Sequence, residues 1–379
     1  MTAKIPVFFL SVFPSLVSLV FFTLVTVLFS GCYTLKQGTT MLGYLGKAVP
    51  LEKLAAGENS EYGDFIERVE DITRFATEEL GLRASKNYTR FVELDRDYLA
   101  AVVSACAADS FTRHEWRFPI VGAVPYKGFF DPADARKEAA RLQSQGLDVW
   151  VRSVDAFSTL GWFKDPLFSY MKNYSEYQLA DLLIHELVHA TAFIRGRIQF
   201  NEQLAEFIGS RGAELYIINR FGIDSEEYRS INANAADRLA FRTFLTELTG
   251  ELEVLYARRD INREAKLSEK DNIIKAAKER FEAEYESRFL SENYRGFSSM
   301  PVNNAYLDLF RLYYEEDSFF ADLFENLPGD ETAKLQLLIA AAASLNNSRE
   351  TRRDPRNALI AALLKLTALE NLTALEIYK

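Results

Sequence analysis

Histidine is nearly absent from this chain, with three in 379 residues. Any two of them at a meaningful spacing therefore stand out against chance. Cysteine is scarcer still: Cys32 and Cys106 are the whole complement. The two could pair in principle, but a chain of this length buries a core without disulfide staples. Cys106, inside the apolar stretch 100–108, reads as a buried core thiol. Basic charge is in deficit: 44 Lys and Arg face 54 Asp and Glu, for a net charge of −10. That balance argues against nucleic acid as a partner and leaves no basic patch for anionic lipid. There is no internal repeat and no long low-complexity tract. What remains is ordinary globular composition, 48% hydrophobic and 26% charged, enough for one large domain or two small ones.

Charge is also missing from the N-terminus. Lys4 is the only charged side chain in residues 1–31, and residues 5–31 form a nearly unbroken apolar run before Cys32. A short basic start, an apolar stretch and small residues before a cleavage point describe a secretory signal. Ser30-Gly31-Cys32 resembles the lipobox of bacterial lipoproteins, in which the signal is cut before a cysteine that is then acylated. Phe29 stands where leucine is usual in that motif. At about 1.5 Å per residue the run is also long enough to cross a bilayer as an uncleaved helix; a buried helix is the third reading. Both membrane readings place the body at the bacterial cell envelope, facing the periplasm or the extracellular side. Residues 1–31 are expected to be a signal peptide or membrane anchor, Cys32 the lipidation site, and 32–60 a lipidated tether. Gly38, Gly43, Gly46, Pro50 and Gly57 interrupt that last segment.

The body, 61–379, reads as α+β and predominantly α-helical. Ile66, Val69, Ile72 and Phe75 predict a helix over 62–80 that ends before Gly81. Residues 94–110 suit either helix or strand. Residues 116–131 mix aromatic and β-branched residues with glycine and proline, which predicts short strands and tight turns. A helix over 132–146 has Asp131 as its cap and Gly146 as its stop. Val149, Val151 and Val154 mark a strand ending at 158–161. Helices over 175–195, with Ser175 as N-cap, and 202–220 follow. A charged helical hairpin is expected over about 225–291, turning near 258–267, mainly a solvated structure. Helices over 301–325 and 331–376 close the chain.

The decisive residues are His185-Glu186-Leu187-Val188-His189, inside an apolar helix. Residues four apart share a helix face, so both imidazoles can grip one metal ion, while Glu186 lies beside it as a general base for water. A catalytic zinc takes three protein ligands and keeps an open position. Glu202 is the expected third ligand and Glu206, one turn on, a carboxylate to orient a ligand histidine. Glu214 is the runner-up ligand. Tyr126 is a candidate donor to the developing oxyanion, with His114 and Tyr306 behind it. The strand 149–154 could pair with an extended peptide.

The set His185, Glu186, His189, Asn201, Glu202 and Glu206 resembles the gluzincin metallopeptidases, in which HExxH is followed by a helix bearing Asn-Glu and an acid four residues later. The 13 positions from His189 to Glu202 are fewer than in well-known members. A closer resemblance is to a family of bacterial aminopeptidase-like, zinc-dependent lipoproteins. It is carried by Pro119-Ile120-Val121-Gly122, Tyr126-Lys127-Gly128-Phe129-Phe130, the run Ser158–Phe163 with Asp165-Pro166, the helix of His185, Phe200-Asn201-Glu202, and Asn303-Asn304-Ala305. Phe157 and Ala190 depart from its usual residues. The resemblance implies a gluzincin-like fold, one Zn2+ ion, a supporting place for Asn201 and Glu206 around the metal, and hydrolysis of peptides, with an aminopeptidase the first expectation. The other class to weigh is a non-enzymatic envelope lipoprotein whose metal is structural or whose hairpin binds a partner. Oligomeric state is left open.

Overall fold

A computed structural model of the protein describes residues 33, 35–55, 62–85, 87–118, 122–154, 166–313 and 318–367. The expected signal or anchor at 1–31, Cys32, Phe157 and the strand end at 158–161 lie outside them. Among the described residues no helix is long and apolar enough to cross a membrane.

Helices dominate; short strands form two three-stranded sheets and one two-stranded ribbon. The expected tether is the first correction. Residues 35–47 form a helix, α1, docked on the body. The Tyr33 hydroxyl donates to the Gly128 carbonyl, Gln37 Oε1 accepts the Phe130 N–H at 2.9 Å, and Met41 is buried. Gly38, Gly43 and Gly46 lie on this helix. Each costs about 1 kcal/mol of helix propensity relative to alanine, and docking outweighs that cost. Strand β1 (Val49–Pro50) and α2 (Leu51–Ala55) follow. The apolar stripe then makes α3 (Gly63–Glu78), with Ile66, Val69, Ile72 and Phe75 all buried. Gly81, at φ +77°, turns the chain away.

After β2 (Arg90–Val92) comes β3 (Ala100–Ala107), which makes the ambiguous stretch a strand. The short strands expected among glycine and proline are β4 (Trp116–Phe118), β5 (Gly122–Val124) and β6 (Lys127–Phe129). In α4 (Pro132–Gln143), Asp131 Oδ1 accepts the Ala133 N–H at 2.9 Å and Pro132 opens the first turn. Gly146, at φ +78°, leads into β7 (Leu147–Val154). The sheet order is β6-β3-β7, antiparallel throughout, so β3 is buried and β7 is an edge. β8 (Leu167–Phe168) pairs in parallel with β2, completing the order β1-β2-β8.

Helix α5 (Glu176–Thr191) opens on a reciprocal cap: Ser175 Oγ accepts the Gln178 N–H and Gln178 Oε1 accepts the Ser175 N–H. Helix α6 (Ile198–Phe221) begins four residues before the expected start. No side chain caps it, so no local signal marks where it begins. Helices α7 (Glu226–Ala257) and α8 (Arg263–Arg288) are the hairpin. It is more than a solvated pair, because Phe241, Phe244, Phe281 and Phe297 give it an aromatic core of its own.

Helix α9 (Asn304–Tyr313) ties that core to the sheet. Buried Asn304 accepts the Tyr256 hydroxyl at 2.7 Å and donates to the Ala107 carbonyl at 2.9 Å, while buried Lys270 donates to Asp148 at 2.9 Å. The Asn303-Asn304 pair thus works as a joint. Helices α10 (Phe319–Glu325), α11 (Glu331–Ser344), α12 (Arg349–Arg353) and α13 (Pro355–Thr367) complete the described chain. The expected helix over 331–376 is broken at Ser348, whose hydroxyl caps α12, and at Asp354-Pro355, where a new helix starts. The main core gathers α3, α5, α6, α11 and α13.

Candidate metal centre

Helices α5 and α6 are apolar over much of their surface, so both are drawn into the main core and against each other. Two glycines set how closely. A Cβ at Gly209 would lie 2.9 Å from Asp181 Oδ1 and 3.2 Å from His185 Cβ. One at Gly212 would lie 3.0 Å from Leu80 and 3.1 Å from Ile184. The tightest approach is therefore made beside His185.

His185 and His189, one turn apart, share the face of α5 turned toward α6, with ring centroids 4.8 Å apart. Glu202 meets both rings: Oε2 is 3.5 Å from His185 Nε2, and Oε1 is 3.4 Å from His189 Nε2. The donor atoms of the three residues lie within 4.8 Å of one another. Both ring nitrogens of His189 are buried, and neither makes an aligned hydrogen bond among the described residues. Buried polar atoms are rarely left so, because the desolvation cost is not recovered. A cation at the focus would satisfy Nε2. Ligands roughly 2.0–2.2 Å from a tetrahedral zinc stand roughly 3.3–3.6 Å apart, matching the spacing here. Two imidazoles and one carboxylate also suit zinc chemically.

The electrostatics follow from the same crowding. The imidazoles of His185 and then His189, facing the Glu202 carboxylate, hold its pKa down to about 2. Burial opposes charge on His185, but the Glu202 carboxylate, with Glu186 and Asp181 behind it, outweighs burial and shifts that pKa upward. Burial pushes Glu186 up, against the pull of the two histidines. Asp181, one turn before His185, is pushed up to about 6, mainly by burial.

The structure places the expected residues as follows. His185, His189 and Glu202 come together, with Glu186 buried beside them. The hydrogen bonds of Asn201 go to neither histidine; its buried amide instead closes the turn between the helices, bonding the Ile194 backbone. Glu206 is exposed and makes no hydrogen bond to a histidine; the acid beside His185 is Asp181. Glu214 lies three turns from Glu202, paired with Arg211 at 3.1 Å. Tyr126 is exposed in the turn between β5 and β6. His114 packs on Trp116 and Tyr306 on Trp150, both as edge-to-face aromatic contacts. Tyr88 carried no local signal, yet its hydroxyl faces the Glu186 carboxylate and favours its charged form. It is buried, and at φ +58° it is the only non-glycine residue with positive φ among those described. Such strain tends to collect at functional sites. The loop that carries it is pinned to α5 by the Arg83 N–H donating to Thr191 Oγ1 at 2.9 Å.

A mostly helical body with three convergent donors on consecutive helices defines a candidate metal-site protein. The family model described as "Putative aminopeptidase" matches residues 32–356, and the chain belongs to that family. The family's description supports peptidase activity at a coarse level. No curated protein and no solved structure matches the chain.

Proposed function

We propose that the chain is a zinc-dependent peptidase, acting as an aminopeptidase and held at a bacterial membrane by its N-terminus. The observation that carries the reading is the convergence of His185, His189 and Glu202 within 4.8 Å, beside a buried Glu186. These three would hold one Zn2+ ion. Bound there, zinc would polarise the scissile carbonyl and bring the pKa of a water to about 7. Glu186 does the proton work. Its carboxylate takes a proton from the attacking water and delivers it to the leaving amine as the carbon–nitrogen bond breaks. Burial has raised its proton affinity toward the range that such a relay needs. Tyr88 holds the carboxylate in place, and Asn201 sets where Glu202 emerges. Three protein donors leave a position for substrate, whereas a structural zinc takes four.

The test is metal analysis of the full chain extracted in detergent, beside hydrolysis of mixed peptides. One zinc per chain is expected in both the wild type and Glu186→Gln, with hydrolysis in the wild type alone. Loss of zinc is expected in His185→Ala. A chain that binds no zinc, or a Glu186→Gln variant that still hydrolyses peptides, overturns the reading. Attachment is supported by the apolar run and Ser30-Gly31-Cys32. Mass spectrometry should find a lipid on Cys32 and none in Cys32→Ser; an unmodified, uncleaved N-terminus in the wild type would replace the lipid by a spanning helix.

A further inference from the structure

The row of α6 that carries Glu202 continues through Glu206 and Ser210 to Glu214, each one turn above the last. Ser210 lies eight residues beyond Glu202, and Tyr177 lies eight residues before His185 on α5. Both therefore stand about 12 Å along the helix axes from the candidate metal site. There they line one open cleft of about 440 Å³, walled on its far side by α7. Tyr177 and Phe207 supply apolar surface; Arg211, Arg238 and Arg242, against Glu214, supply charge. Arginine is thus gathered here in a chain whose net charge is −10. Arg211 is committed to Glu214 at 3.1 Å, which leaves Arg238 on α7 as the charge available to a ligand. Arg238 is exposed and forms no hydrogen bond or ion pair among the described residues. Its charge acts on both Tyr177 and Asp181, and Asp181 acts in turn on His185. The cleft and the metal site thus share the same two helices, about two turns apart.

We propose that this cleft is a subsite for a carboxylate of the substrate, three or four residues from the end held at His185, His189 and Glu202. An extended peptide advances about 3.3 Å per residue, so three to four residues span about 12 Å. The planar guanidinium fork is matched to a carboxylate. The carboxylate is either the C-terminus of a short peptide or an acidic side chain of a longer one. This proposal rests on the peptidase reading and names the substrate class for it.

The test uses the full chain carrying Glu186→Gln, so that binding is read without turnover, and the wild type for hydrolysis. The probes are tetra-alanine with a free C-terminus, the same peptide as its C-terminal amide, and an amide with glutamate in the last position. By calorimetry the free acid should bind about five-fold more tightly than the plain amide. Adding Arg238→Ala should erase that preference. Adding Arg229→Ala, which removes the same charge from α7 outside the cleft, should keep it. A glutamate-ended amide binding as well as the free acid shows that the subsite takes a carboxylate from either source; one binding as weakly as the plain amide restricts it to the chain terminus. Equal binding of acid and plain amide, or a preference that survives Arg238→Ala, overturns the proposal. A carboxylate preference without hydrolysis of any peptide keeps the subsite and rejects the peptidase; hydrolysis without the preference does the reverse.

Discussion

Asn201 holds Ile194 by both ends of its amide: Oδ1 accepts the Ile194 N–H at 3.0 Å and Nδ2 donates to the Ile194 carbonyl at 2.9 Å. Both residues are buried, at 1% and 2% exposure, so no solvent can replace those bonds. The pair closes the connection between α5 and α6 and places the next residue, Glu202, against the two imidazoles. Asn201→Ala strands a buried N–H and carbonyl, and is expected to cost about 1–3 kcal/mol in urea unfolding. Zinc affinity, read by competition with a chelating dye, should fall about ten-fold or more. Full destabilisation with unaltered affinity would reduce Asn201 to a staple of the fold.

Gly209→Ala tests the approach of the helices. The new methyl would meet Asp181 Oδ1 at 2.9 Å, the Asp181 carbonyl at 3.1 Å and His185 Cβ at 3.2 Å. Two of these are backbone or the root of a side chain and cannot swing aside. A loss of about 1–3 kcal/mol is expected, together with weakened zinc binding. A variant as stable as the wild type and as tight for zinc would show that the helices have slack.

Tyr88→Phe removes one hydroxyl from the Glu186 carboxylate and leaves the ring and the positive-φ backbone in place. Turnover should fall about ten-fold with zinc content unchanged, because the base loses its orienting partner but the ligands do not. The comparison to make is kcat against metal stoichiometry in the same preparations. Loss of the metal along with activity would mean that Tyr88 supports the helix rather than the base.

A pH effect is expected far from this site. Glu138 accepts from Arg141 at 2.9 Å and from Trp116 Nε1 at 2.8 Å, with Lys127 at 3.8 Å, and these hold its carboxyl down to about 2. In the unfolded chain a glutamate titrates near about 4.3. Between those values the unfolded state binds more protons, so stability rises with pH there. The stabilisation is complete above the unfolded value and is lost as pH falls toward about 2. Urea midpoints measured from pH 6 down to 2.5 should show wild type and Glu138→Gln converging as the pH falls. A constant gap would exclude the carboxylate as the cause.

Much of the helical body was legible because its signals are local. Ser175 with Gln178, Asp131 with Pro132, and the 3.6-residue stripe of α3 each act within one or two turns of chain. The α1 segment was not legible, because glycine propensity pointed one way while long-range contacts of Tyr33 and Gln37 with residues near 130 decided the other. The start of α6 was missed for a similar reason. No side chain caps it, and its geometry is held by Asn201 reaching back seven residues.

The amino-acid sequence alone determined which chemistry is available: a pair of histidines one helical turn apart with a glutamate between them, because a helix converts that spacing directly into a shared face. It could not decide what meets that face. Glu202 rather than Glu214 arrives because two glycines let α6 approach at one height, and Tyr88 reaches the site through packing between segments distant in the chain. Those choices depend on how buried surfaces fit together, and that fit exists only once the helices are docked.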